Sequence, residues 1–373
     1  GANQRWKVTL ATGGEVNPLS QPDPVDPPTA GLQVWEGPFG TPVIGVGMAN
    51  LANGKVLLWS AYLRDNFAYD TGKTQTALFD PFTEDLTDEL VTKTNHDMYV
   101  RKSIWEHHFI SHCSRFCPGT ATMSDGRLMI TGGADSLATS IYDSYSNSWS
   151  TGPIMKVSRG YHSMTVLGDG SIFTLGGSWH GGKGDKDGEL WTPSTNEWTL
   201  KTGIPAGSFL TDDMGGVYRS DNHLWLFTAP NGLVFHAGPS YKMHWVDVSG
   251  SGSVTRSVNR GGTDRMNGNA LMYDIGKILV VGGAPNYDTG PGTKDAYIID
   301  INGAEASVTK AGDMNFQRTF CNSVVLPNGH VLVIGGQTET LLFSDDYAVM
   351  KAEIFDPVTK QFTALSAMKV PRT

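Results

Sequence analysis

The sequence is poor in cysteine and in charge and has no long apolar run, and each shortage excludes a class of protein. The three cysteines, Cys113, Cys117 and Cys321, are too few for a disulfide-rich scaffold and too irregularly spaced for a zinc ribbon. Charged residues make up only 17% of the 373 residues, and the net charge is -9. The negative net charge argues against nucleic acid or an anionic membrane as a partner. No apolar run approaches the length of a membrane span.

Glycine and proline are abundant instead, with 45 and 19 residues, which suits a turn-rich, all-β protein. A short apolar strand recurs six times, and four copies end in a glycine pair: Gly132-Gly133, Gly176-Gly177, Gly282-Gly283 and Gly335-Gly336. The copies at 53–59 and 222–227 lack the pair. Repeats of about 40 to 50 residues built from short strands indicate a β-propeller. A generic β-sandwich would not explain six copies of one pattern.

The repeats divide the chain into predicted blades at 46–98, 118–160, 161–212, 213–264, 265–317 and 318–370. Residues 1–45 are proline-rich and predict an extended N-terminal arm, and residues 99–116 form an insertion between the first two blades. We therefore predict a seven-bladed kelch-type β-propeller, of which this chain supplies about six blades. We expect the seventh blade to begin at or just after Thr373.

Candidate functional residues stand where blade starts and glycine pairs reach the central funnel of the propeller, which is where ligands and metals bind. Cys117 and Tyr161 begin the second and third blades, so the two side chains are expected to lie close together. Trp179 follows the glycine pair of the third blade and can stack over either one. From these residues alone, an inert buried cysteine and a core tyrosine are the ordinary interpretation.

Five ordered motifs change that interpretation: Phe-Cys-Pro-Gly at 116–119, Arg-Gly-Tyr at 159–161, Gly-Gly-Ser-Trp at 176–179, Val-Tyr-Arg-Ser-Asp-Asn-His at 217–223 and Gly-Asn-Ala-Leu-Met-Tyr-Asp at 268–274. With these motifs the chain closely resembles the galactose oxidase family, the mononuclear copper-radical oxidases. The resemblance runs from about residue 50 to the end of the chain, across all six blades.

The resemblance implies a copper ion and a cofactor made from two side chains of the protein. The sulfur of Cys117 would be joined to the ortho carbon of Tyr161 by a thioether bond. Tyr161 would then be an equatorial copper ligand and carry the radical, because the thioether delocalises the unpaired electron and lowers the oxidation potential of the phenol. Trp179 matches the tryptophan that shields this radical from solvent.

The resemblance also implies a substrate pocket. Arg219 matches the arginine that donates hydrogen bonds to substrate hydroxyls, and a guanidinium can donate to two vicinal oxygens at once. Phe67 and Phe343 match the two aromatic walls. A glutamine that helps to hold the sugar in the family is replaced here by Asp288. This replacement leaves another primary alcohol or a different carbohydrate open as the substrate.

The remaining copper ligands of the family, a tyrosine and two histidines, belong to the seventh blade and to a C-terminal domain, and would follow Thr373. Copper needs nitrogen and oxygen donors in a near-square array, which Tyr161 alone does not provide. We therefore expect either a second polypeptide that carries the seventh blade and the C-terminal domain, or a truncated chain.

The function expected from the resemblance is oxidation of a primary alcohol to the aldehyde, with reduction of O2 to H2O2. Two alternatives stay open, an aldehyde oxidase similar to glyoxal oxidase and a non-catalytic kelch propeller that binds a partner. The ten tryptophans and few lysines resemble the composition of secreted fungal enzymes, so an extracellular location is expected.

Other histidines and cysteines are given structural interpretations. His108 and His112 in the insertion are four residues apart, a spacing that metal sites use, but a surface loop is the favoured reading. His162 and His223 are interpreted as packing or turn residues, and Cys321 is assigned no role.

Overall fold

The computed structural model describes residues 35, 40–43, 45, 47–60, 75–86, 92–93, 118–133, 137–179 and 185–372. The predicted N-terminal arm, the 99–116 insertion, Phe67 and Cys117 therefore lie wholly or mostly outside the described residues. Within this part of the chain, no helix has the length and hydropathy that a membrane span requires.

The described residues form six antiparallel sheets and two short helical turns. The strands are β1 (Gly47–Asn50), β2 (Val56–Ser60), β3 (Gln75–Asp80), β4 (Asp85–Leu86), β5 (Thr92–Lys93), β6 (Gly119–Thr122), β7 (Leu128–Thr131), β8 (Thr139–Asp143), β9 (Ser148–Thr151), β10 (Ser163–Val166), β11 (Ile172–Leu175), β12 (Gly188–Thr192), β13 (Glu197–Lys201), β14 (Trp225–Thr228), β15 (Val234–Gly238), β16 (Lys242–Asp247), β17 (Ser253–Asn259), β18 (Asn269–Asp274), β19 (Lys277–Val281), β20 (Ala296–Asp300), β21 (Ser307–Lys310), β22 (Asn322–Val325), β23 (Val331–Ile334), β24 (Lys351–Asp356) and β25 (Gln361–Ala367). A 3-10 helix at Ala206–Phe209 and α1 at Val217–Ser220 precede β14.

Each sheet is a meander in which consecutive strands are hydrogen-bonded neighbours, and the first sheet adds β5 beside β3. Sheets touch one another through their first strands: β6 contacts β10, β10 contacts β14, and β18 contacts β22. The first strands therefore line the centre and the sheets radiate from it. This arrangement confirms the predicted all-β propeller and the six blades read from the repeats.

The core lies between the blades because each strand presents alternate side chains to its two neighbours. In β19 of the fifth blade, Ile278 packs in a cluster with Trp245 of the fourth blade. The next residue, Leu279, packs in a separate cluster with Phe355 of the sixth blade. A strand buried on both faces needs an uninterrupted apolar run, which explains the sequence of the recurring strand.

A buried ion pair, here called the clasp, fixes the start of two blades. Arg159 Nη2 lies 3.1 Å from Glu189 Oε1, and Arg318 Nη2 lies 3.2 Å from Glu353 Oε1, with all four side chains fully buried. Each glutamate also accepts two backbone N–H groups from the segment before its arginine. Burial lowers the pKa of Arg159, while its attraction to Glu189 opposes that shift. The clasp therefore anchors the chain where it enters the centre.

The glycine pairs occupy crowded, left-handed positions. Gly177 has φ +91°, and a Cβ there would lie 2.7 Å from Gly160 O. Gly283 has φ +95°, and its Cβ would lie 2.7 Å from Arg265 O. Only glycine fits both the dihedral angle and the space, so the pairs mark where each strand leaves the centre beside the next blade.

Candidate active site

A left-handed residue stands two positions before the first strand of four consecutive blades, and we call this position the corner. The corner residues of blades three to six are Tyr161 (φ 62°), His223 (φ 52°), Asn267 (φ 56°) and Phe320 (φ 57°). Hydrogen bonds link neighbouring corners, since His223 N donates to Tyr161 O at 2.9 Å and Phe320 N donates to Asn267 O at 2.7 Å. Positive φ is uncommon for residues other than glycine, and here the blade packing imposes it.

Tyr161 is surrounded by three rings from other parts of the chain. Its ring centroid lies 5.7 Å from that of Trp179, 5.0 Å from that of His223 and 6.5 Å from that of Tyr287. His223 and Tyr287 meet it edge to face, the geometry that aromatic quadrupoles favour. The structure thus brings together Tyr161 and Trp179, two of the residues selected from the sequence.

Tyr287 is a member of the site that sequence reasoning missed. Its ring lies 5.1 Å from Trp179, stacks on His223 at 6.0 Å and meets Phe320 at 6.5 Å. The aromatic cluster therefore consists of Tyr161, Trp179, His223, Tyr287 and Phe320. Tyr287 lies four residues after the glycine pair of the fifth blade, whereas Trp179 lies two residues after that of the third, so position in the repeat alone did not single it out.

His223 lies in a turn and packs against two aromatic rings, which agrees with its sequence interpretation as a packing or turn residue. Its ring contacts both Tyr161 and Tyr287, and its side chain is exposed at the centre of the propeller. Desolvation lowers the pKa of His223 below its usual value of 6.5. The site therefore presents an imidazole beside the phenol of Tyr161.

Arg219 lies in α1, with its guanidinium carbon 4.5 Å from the centroid of the Trp179 ring. Its Nη2 forms an ion pair with Asp288 Oδ2 at 3.0 Å. Two of the four residues that the sequence assigned to the substrate pocket are therefore in direct contact. A guanidinium over an indole face gains cation–π attraction, which holds Arg219 against Trp179.

Two buried carboxylates fix the loops that carry these side chains. Asp221 accepts hydrogen bonds from Ser178 N at 2.9 Å and from Ser178 Oγ at 2.7 Å, which ties α1 to the residue before Trp179. Burial raises the pKa of Asp221, and the bonds from Ser178 oppose that shift. Asp213 accepts Tyr287 N at 2.5 Å and Gly215 N at 2.6 Å, and so joins the α1 loop to the loop of Tyr287.

Phe343 lies on the loop between β23 and β24, where 86% of its surface is exposed. The loop is held by Gln337, whose Oε1 accepts Leu341 N at 3.1 Å and whose Nε2 donates to Ser344 O at 2.5 Å. Phe67, the other proposed wall, and Cys117, the proposed partner of Tyr161, lie outside the described residues.

His162 points away from the aromatic cluster, as strand alternation requires. It is buried, and its Nε2 hydrogen-bonds Thr131 Oγ1 at 2.8 Å. Burial lowers the pKa of His162 well below 6.5, and the nearby positive charge of Arg159 adds to the effect. The residue at the same place in the sixth blade is Cys321, whose pKa burial raises to about 11.

The phenol of Tyr161 suits copper as one oxygen ligand, because copper accepts oxygen and nitrogen donors. Among the described residues, no group of three or more His, Cys, Asp or Glu side chains is close enough to hold a metal ion. The described part of the site therefore offers one phenol oxygen of a type that copper accepts and an aromatic surround, without a complete set of donors.

No family model matches the chain. Two curated sequences of galactose oxidase from Gibberella zeae, one of them from strain PH-1, are each 41% identical to it over 347 residues. These residues are 90% of this chain and 48% of the relative, so the chain spans about half the length of the curated relatives it matches.

A solved structure is also similar, a novel fungal alcohol oxidase with catalytic diversity among the AA5 family, in complex with copper. The TM-score is 0.80 and the identity 34%, over 91% of this chain and 68% of that chain. Because this chain is 34% identical to the fungal alcohol oxidase over 68% of that chain, and 41% identical to the galactose oxidases, it belongs to the galactose oxidase family.

Proposed function

We propose that this chain is part of a copper-dependent oxidase that converts a primary alcohol to the aldehyde and reduces O2 to H2O2. The proposal rests mainly on two contacts of Trp179. Its indole lies beside the redox-active phenol of Tyr161 and also beside the guanidinium of Arg219, the proposed substrate-binding cation. The similar galactose oxidases and the fungal alcohol oxidase with copper support the same reaction class.

Tyr161 is the proposed copper ligand and radical carrier, joined through a thioether bond to Cys117. Bound copper would supply a one-electron acceptor beside the phenol, so that the two centres together take two electrons from the alcohol. The oxidised phenol oxygen of Tyr161 would accept a hydrogen atom from the carbinol carbon, and the proton of the alcohol hydroxyl would pass to the second tyrosine that the family resemblance implies in the seventh blade. The corner backbone, held by the Arg159–Glu189 clasp, keeps Tyr161 at the centre for this step.

Trp179 and Tyr287 would shield the Tyr161 ring from water. Trp179 lies half-buried at 5.7 Å from Tyr161, and Tyr287 is buried behind it at 5.1 Å from the indole. Excluding water lengthens the life of an oxidised phenol, because fewer proton and electron donors reach it. Arg219, Asp288, Phe67 and Phe343 would form the substrate pocket.

The remaining copper ligands are proposed to come from a seventh blade and a C-terminal domain, carried either by this polypeptide or by a second one. Gly336 N donates to Arg372 O at 2.7 Å, as Gly133 N does to Arg159 O and Gly283 N does to Arg318 O at 2.8 Å. Arg372 thus has the hydrogen-bond position of a blade start, which supports a further kelch-type blade. The composition supports an extracellular location.

The testing experiment is the intact mass of the denatured protein before and after exposure to copper, with Cys117→Ser as the matched control. We expect the parent, but not C117S, to lose two hydrogens and to produce peroxide from primary alcohols. Peroxide from small aldehydes alone would favour the aldehyde oxidase. An unchanged mass, with C117S equal to the parent in every assay, would favour the binding scaffold.

A further inference from the structure

We propose that Asp288 is an internal counter-ion of Arg219 that selects primary alcohols lacking a neighbouring pair of hydroxyls. The inference rests on the proposed function, because it concerns the substrate class of the same pocket. It predicts that wild-type protein handles a vicinal diol such as D-galactose less well than an alcohol such as benzyl alcohol.

The N–H donors of Arg219 are only partly available to a substrate. A guanidinium presents two pairs of parallel N–H donors, one from Nε with a terminal nitrogen and one from the two terminal nitrogens. Nε of Arg219 is buried and has no hydrogen-bond partner among the described residues. Nη2 forms an ion pair with Asp288 Oδ2 at 3.0 Å. Because the carboxylate lies against Nη2 and Nε is buried, a vicinal diol must compete with Asp288 for paired donation from Arg219.

The Arg219–Asp288 ion pair is fixed in place by its surroundings. Trp179 covers one face of the Arg219 guanidinium at 4.5 Å. The loops that carry the two residues are joined twice more, by Asp213 Oδ2 to Tyr287 N at 2.5 Å and by Asn286 Oδ1 to Met214 N at 3.0 Å. Because both loops are tied, a substrate must compete with Asp288 where it stands.

The Arg219–Asp288 pair leaves a pocket surface that carries no net charge and is partly apolar. The side chains of Arg219 and Asp288 are 24% and 36% exposed, so the pair faces solvent at the pocket without a net charge of its own. A carboxylate only accepts hydrogen bonds, while the half-buried rings of Trp179 and Phe320 keep apolar surface exposed. An alcohol with an apolar substituent needs no donor from Arg219, whereas a vicinal diol must displace Asp288 to accept two hydrogen bonds from the guanidinium.

The main test measures kcat/KM of the copper-loaded holoenzyme for D-galactose and for benzyl alcohol, in the parent and in Asp288→Gln. Releasing a partly exposed ion pair is worth up to about 1 kcal/mol, so we expect the galactose-to-benzyl ratio to rise roughly fivefold. The control is Glu305→Gln, which breaks the Arg256–Glu305 pair, an exposed ion pair of similar length, 3.1 Å, away from the pocket. This control should leave the ratio unchanged.

A second readout measures binding of 6-deoxy-D-galactose to the same holoenzyme by calorimetry, since this sugar keeps its vicinal hydroxyls but lacks the reacting one. We expect Asp288→Gln and Asp288→Ala both to bind it more tightly than the parent. If neither the ratio nor the binding changes beyond E305Q, the counter-ion role is wrong while alcohol oxidation stands. If no primary alcohol yields peroxide, the proposed function is wrong, and the binding measurement alone still decides the role of Asp288.

Discussion

The corners of the third and sixth blades share one backbone and differ in chemistry. Both follow a buried arginine–glutamate clasp, and Tyr161 and Phe320 have nearly the same φ, 62° and 57°. The third blade places a hydroxyl on the ring and adds Trp179 at 5.7 Å, whereas the sixth blade leaves a plain ring near Tyr287. The repeat therefore builds the same support several times, and one corner carries the phenol that we propose as the reactive group.

The largest expected effect is the loss of the hydroxyl from the reactive corner. Tyr161→Phe should lower peroxide production to below about one thousandth of the parent rate, since each 1.4 kcal/mol of lost transition-state stabilisation costs about tenfold. Phe320 shows that the corner accepts this ring, so the Tm should stay within about 4 °C of the parent. Peroxide assays and thermal melting check both parts.

The reciprocal variant, Phe320→Tyr, is the control for this pair. It should fold and should bring no new oxidase activity, because the sixth blade lacks the tryptophan that accompanies Tyr161. Substantial peroxide production by Tyr161→Phe would show that the reactive group lies elsewhere.

The clasps should contribute equally to stability in the two blades. Glu189→Gln and Glu353→Gln each leave a buried guanidinium without its counter-charge, which typically costs about 3 to 5 kcal/mol of unfolding free energy. Denaturant unfolding measures the loss, and the exposed pair in Glu305→Gln should lose only about 0.2 to 1 kcal/mol. A difference above about 2 kcal/mol between the two clasp variants would contradict their equivalence.

The sequence predicts the propeller scaffold more completely than it predicts the site. The glycine pairs and the apolar strands were enough to predict six blades, because packing of adjacent sheets demands both. Family motifs selected Tyr161, Trp179 and Arg219, which the structure brings together. Tyr287 was missed because its contacts with Trp179 and His223 join loops that are distant in sequence, which residue preferences do not encode.

His162, the residue after the corner of the third blade, should make the unfolding free energy sensitive to acid. His162 is buried and neutral, and its pKa is lowered in the folded protein, so the unfolded chain binds the proton more readily. The unfolding free energy should therefore fall as the pH drops through the unfolded value of about 6.5, by about 2 kcal/mol at pH 5. Denaturant unfolding at pH 7, 6 and 5 measures this dependence.

His162→Cys gives the third blade the residue of the sixth and supplies the matched control. Cys321 is buried with its pKa raised to about 11, so a thiol here stays neutral throughout the same pH range. The variant should lose the part of the acid dependence that His162 contributes. An unchanged slope between pH 7 and 5 would show that other groups cause it.

The smallest effect is expected at the inert corner, where Phe320→Asn replaces the ring by the residue of the fifth blade. Asn267 already holds this corner at φ 56°, and asparagine tolerates left-handed backbone better than phenylalanine does. That gain offsets the lost contact of a half-buried ring with Tyr287, so the unfolding free energy should change by about 1 kcal/mol or less. Peroxide production should stay within about threefold of the parent, because less than 1 kcal/mol separates such rates. A hundredfold loss of activity in a folded variant would place Phe320 in the reaction and would mean that the two corners divide the chemistry between them.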